Sequence, residues 1–98
     1  MEQEDLLRAK LNGETSRMPW KELLRFFAGG TVIAVSPELD LVDVALRIAN
    51  DDAQTIAQWM AGNQVGKVSD AQASAWLEAD ATLWAVVVKP WILVQEKD

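Results

Sequence analysis

The sequence predicts a small α/β or α+β domain: a three- to four-stranded sheet covered by about five short helices. Half of the 98 residues are hydrophobic, enough for one modest core. Segments with apolar residues at the helical spacing of three and four alternate with short runs rich in Val, Ile and Thr, the pattern of helices packed on a sheet. No Cys is present, so neither disulfides nor a Cys-based zinc site can staple the chain. No repeat or Pro/Gly/Ser-rich linker divides it, and residues 1–98 read as one domain, with 1–14 expected as a loosely attached N-terminal helix.

Leu6, Leu7 and Leu11 set the inner face of that first helix, which should stop near Asn12-Gly13. A second helix starts at Pro19, suited to a first turn, and carries Trp20, Leu23, Leu24 and Phe27 on one stripe until Gly29-Gly30 ends it. Thr31 to Val35 is apolar on successive residues, which suits a strand buried on both faces, and Ser36-Pro37 stops it. Leu41, Val44, Ala45 and Ile48 restore the helical spacing, with Asp40 as cap and Asp43 one turn before Arg47. After Asn50, Asp51 and Gln54 form an N-cap and N3 pair for a helix that turns Ile56, Trp59 and Met60 inward and ends at Gly62-Asn63.

Gln64 to Val68 forms at most a short peripheral strand, because Gly66 and Lys67 weaken it. Ser69-x-x-Gln72 is a capping box, and the helix it opens should bury Ala73, Trp76 and Leu77. Leu83 to Gln95 is Val-rich and the most hydrophobic stretch, interrupted by Pro90, and reads as strand segments 83–89 and 91–95 joined by a bend. Right-handed crossovers would make strands separated by helices parallel.

Composition excludes whole classes of chemistry. There is no His, Cys or Tyr, so the side chains that usually transfer protons near neutral pH, attack as thiolates or bind transition metals are missing. The net charge is −6, and residues 38–80 account for it with eight acids against Arg47 and Lys67. Such a surface repels phosphate backbones, which argues against nucleic-acid binding. The acidic start, Met1-Glu2-Gln3-Glu4-Asp5, does not read as a secretory signal. The longest apolar run, Leu83 to Val88, is far short of the roughly 20 residues that span a bilayer. A cytoplasmic location is expected.

Carboxylates are the groups left that could support chemistry, and Asp40, Asp43, Asp51 and Asp52 are the closest set. Each has a structural use near a helix start, and no calcium-loop spacing occurs. Without His the usual activating base for Ser or Thr is missing, and no Ser-x-x-Lys or Gly-x-Ser-x-Gly pattern is present. Gly29-Gly30 precedes a strand, the wrong order for a phosphate cradle. The five Trp remain. Trp20, Trp59 and Trp76 lie on apolar stripes and suit a core. Trp84 and Trp91 are seven apart, an odd separation that puts them on opposite faces of a regular strand unless the chain deforms at Pro90.

Pro19-Trp20-Lys21-Glu22-Leu23, Leu39-Asp40-Leu41-Val42-Asp43-Val44-Ala45 and the ending Trp84 to Gln95, with its Pro-Trp-x-Leu-Val-Gln motif, resemble the domain of unknown function 2288 family of short bacterial proteins. The resemblance covers nearly the whole chain and implies a stand-alone bacterial protein. It supplies no activity, cofactor or catalytic residue.

The reading that follows is a non-enzymatic protein-interaction or regulatory module, with no catalytic residue and no cofactor or metal assigned. An apolar strand left at a sheet edge invites pairing, and residues 91–95 are the expected edge. A homodimer is therefore expected through Trp91, Leu93 and Gln95, with Trp91 as anchor. The alternatives are a carboxylate-based metal-binding protein or enzyme, which needs Asp40 to Asp52 to converge, and a small-molecule binder with a Trp-lined pocket.

Overall fold

A computed structural model describes residues 2–96. Its elements are α1 (Glu2–Glu14), β1 (Ser16–Pro19), a 3-10 turn (Trp20–Leu23) leading into α2 (Leu24–Ala28), β2 (Val32–Val35), α3 (Leu41–Ala49), α4 (Ala53–Ala61), β3 (Val65–Lys67), α5 (Asp70–Glu78), β4 (Thr82–Val88) and β5 (Trp91–Gln95). The sheet has five strands in the order β1-β4-β5-β2-β3. Only the β2–β5 pair is parallel; β1–β4, β4–β5 and β2–β3 are antiparallel. The fold is thus α+β with a mixed sheet, one strand larger than expected.

The extra strand is β1. Ser16-Arg17-Met18-Pro19 has little strand propensity and is held by its ladder to β4, in the register Arg17 to Trp84 and Met18 to Leu83. Its position at the sheet edge is where a strand can tolerate Pro19.

Side-chain alternation splits the sheet into two faces. On one lie Val35, Val86, Leu93 and Val65, packed under α3 through Val44, Ala45 and Leu46 and under α1 through Leu11. The first helix is therefore seated in the core by Leu11, 4 % exposed, and by an Arg8–Asp43 ion pair at 3.2 Å, while Leu6 stays in solvent. On the other face Val32, Ala85, Ile92 and Val94 meet Trp20, Leu23 and Trp76. Trp20 is fully buried and stands edge-on to Trp76, with ring centroids 5.0 Å apart.

Helix starts follow local chemistry. Asp40 accepts from the Val42 and Asp43 amides, and Ser69 and Gln72 close the capping box. One cap moves: Asp52, not Asp51, begins α4 by accepting from the Thr55 amide, and Asp51 takes a left-handed turn at φ 55°. Asp43 and Arg47 do not pair; Asp43 goes to Arg8 and Arg47 to Asp52. Leu77 and Met60, expected inside, are half exposed, because α5 and α4 each touch the body along a narrower stripe than their apolar residues suggest.

The largest correction concerns residues 91–95. Lys89-Pro90 is a two-residue hairpin turn, so β5 folds back against β4 and receives β2 on its other side, which makes it the central strand. Its apolarity serves burial on two faces and leaves no edge to pair.

Candidate functional site

The hairpin decides where the two C-terminal tryptophans point. Trp91 is the cross-strand partner of Val88, and Val88 lies an even number of residues from Trp84, so both indoles project on the α3 face. Trp84 is flanked by Arg17, whose guanidinium carbon lies 5.4 Å from its ring centroid. Trp91, at the far end, is half-buried and looks into an open groove.

That groove has a volume of about 410 Å³ and lies between α4 and the β5-β2-β3 side of the sheet. Ile33 and Trp91 come from the sheet, Ile48 from the end of α3, and Ile56 and Met60 from α4. Charge is confined to the rim, with Asp51 and Asp52 where α4 begins and Lys67 on β3. The walls are mostly apolar, the character of a binding surface.

Asp52 is locked into the scaffold. Hydrogen bonds from Thr55, first its hydroxyl at 2.9 Å and then its amide, hold the carboxyl below the usual aspartate range, and the Arg47 guanidinium at 3.3 Å adds to the effect.

The carboxylates do not converge. Asp40 caps α3, Asp43 binds Arg8, Asp52 caps α4, and Asp51 sits in the intervening turn. Among the described residues, no group of three or more acids is placed to hold a metal ion. Of the three residues expected at an interface, only Trp91 retains accessible surface. Leu93 is fully buried in the core, and Gln95, 3 % exposed, turns its side-chain amide inward to the carbonyls of Ser36 and Leu39. Both are inside because β5 is central.

What the sequence reading missed is that α4, though expected as a helix, keeps its apolar surface exposed. Residues 53–66 contain no charged side chain, the longest such run in a chain of net charge −6. In a core helix that would be unremarkable, yet no residue of α4 is buried and Met60 is 53 % exposed. The signal was legible as a charge gap, and periodicity masked it by assigning Ile56, Trp59 and Met60 to the interior.

Comparison with known proteins agrees with the fold. Residues 6–96 match the family model described as protein of unknown function (DUF2288), and the chain belongs to that family. The chain is similar to PA1075 from Pseudomonas aeruginosa, known from an NMR solution structure: 48 % identity, 93 % of this chain and 84 % of that one covered, TM-score 0.83. No curated protein matches. Among the described residues no helix is long and apolar enough to cross a membrane.

Proposed function

We propose that this family member is a non-enzymatic interaction module of the bacterial cytoplasm that engages a protein partner, a second copy included, through α4 and the Trp91 groove. The observation that supports it is a helix without charge and without a buried residue beside an open apolar groove, on an otherwise acidic molecule. Interface cores are depleted in charge and rich in Trp and Met, as this surface is. Acidic copies repel one another over most of their surface, and a neutral patch is where that repulsion is least. The bacterial assignment leans on the Pseudomonas aeruginosa relative.

Sedimentation of the purified chain from low to high micromolar concentration tests the reading. Association is expected, and Met60→Glu, which puts a charge on an exposed position, should shift it toward monomer without changing the circular dichroism. A parent that stays monomeric throughout would remove self-association from the proposal.

A second reading rests on the groove alone. Its volume falls within the roughly 300–1,000 Å³ of small-molecule sites. An apolar ligand seated there would shift Trp emission, and Trp91→Phe would abolish the change. No shift across a panel of apolar and amphipathic compounds would set this reading aside.

A further inference from the structure

Taking the self-association reading as its premise, we infer that two copies join by antiparallel pairing of β3 with its counterpart about Gly66, turning two five-stranded sheets into one continuous sheet. The ladder fixes which backbone groups are free. Ser36 donates to the Gln64 carbonyl at 2.7 Å and Val68 to the Val32 carbonyl at 3.4 Å, so Ala34 and Gly66 face each other as a hydrogen-bonded pair. The N–H and C=O groups of Val65 and Lys67 therefore point outward, and no bond among the described residues takes them up.

The opposite edge is half blocked to this. Trp20 donates to the Ala81 carbonyl at 2.8 Å, which sets the β1–β4 parity so that Arg17 and Pro19 are the outward-facing residues. Pro19 has no N–H to offer, a device that protects edge strands. Of the two edges, β3 keeps both of its outward donors, whereas β1 keeps only that of Arg17.

The occupant is a second copy because the β3 edge is self-complementary. With Gly66 opposite Gly66 of the other copy, each Val65 faces a Lys67 across the seam. The two Lys67 are then not opposed, and both outward donor–acceptor sets are used. The two-fold axis of an antiparallel pair is perpendicular to the sheet, so α4 of both copies ends on the same side, flanking the seam. Three residues of strand bury far less than the roughly 800 Å² per partner of a stable interface, and the uncharged α4 surface with Met60 supplies the remainder.

Gly66→Cys is the direct test, since it gives the chain a single thiol. A Cβ at Gly66 would meet nothing within 4 Å. Across a non-hydrogen-bonded antiparallel pair the two Cα atoms lie about 4.5 Å apart, within disulfide range. Diamide should convert Gly66→Cys to a covalent dimer, whereas Ser16→Cys, on the opposite edge, should stay largely unlinked. In the unaltered protein, exchange protection of the Val65 and Lys67 amides should rise with concentration while that of Gly66, already bonded within its own sheet, does not change. Lys67→Pro should abolish the dimer in sedimentation and Lys67→Gln should retain it. A dimeric parent whose Gly66→Cys variant does not cross-link overturns the β3 pairing and leaves self-association standing; a monomeric parent overturns both.

Discussion

The side-chain amide of Gln95 donates to the carbonyl oxygen of Leu39 across 2.6 Å, joining the end of the central strand to the loop that starts α3. The same nitrogen donates to the Ser36 carbonyl at 2.8 Å. A buried polar side chain on a central strand is costly unless it is satisfied, and here it meets two loop carbonyls that lack strand partners. Its function is structural: it holds the β2–α3 connection against the sheet.

Gln95→Leu keeps the volume and removes the donor, stranding the Leu39 carbonyl, while that of Ser36 keeps the Leu39 N–H at 3.0 Å. The variant should lose about 1–3 kcal/mol in urea unfolding, with an unchanged m-value. A loss below measurement error would mean the Leu39 carbonyl is satisfied by solvent.

Neighbouring positions on α5 should behave oppositely. Trp76 is buried against Trp20, and its indole N–H donates to Glu96 at 2.8 Å, so Trp76→Ala should cost about 3–5 kcal/mol. Leu77, half exposed, should tolerate Ala within about 0.5 kcal/mol. Thermal melts of the two variants side by side read this contrast, and equal losses would contradict the facing of α5.

Ser69→Ala removes the hydroxyl that accepts from the Gln72 amide and should cost about 1 kcal/mol. Ser69→Asp, which can still cap, should restore most of it. If Asp and Ala melt alike, the cap contributes nothing to stability.

Asp52 should add an acid limb to the stability profile. Its folded pKa is lowered, chiefly by Thr55. The contribution is therefore complete above the unfolded Asp value of about 3.9 and is lost as pH falls through the folded one. Asp52→Asn, which keeps a capping side chain, should be less stable than the parent at neutral pH and converge with it in acid. A gap that stays constant from neutral pH into acid would show that the Asp52 charge plays no part.

The signals legible in the sequence were local ones. Asp40 and the Ser69–Gln72 box marked helix starts because a cap needs only its own next three residues, and Leu41, Val44 and Ala45 showed their buried face because helical spacing alone creates it. The strand character of 83–95 followed from Val content, and Pro90 marked a break. Whether Pro90 meant a bend or a hairpin was not local. Only tertiary pairing decided that β5 runs back along β4 and accepts β2 on its other side, which moved Leu93 and Gln95 from an expected edge to the centre and put Trp84 and Trp91 on one face. Ser16 to Pro19 became a strand for the same reason, since its ladder partner lies far along the chain. Residues 53–66 were visible as uncharged, but not as exposed. A helix with an apolar stripe is buried only if something packs on it, and that depends on how the rest of the chain shares out its surface, which no single segment encodes.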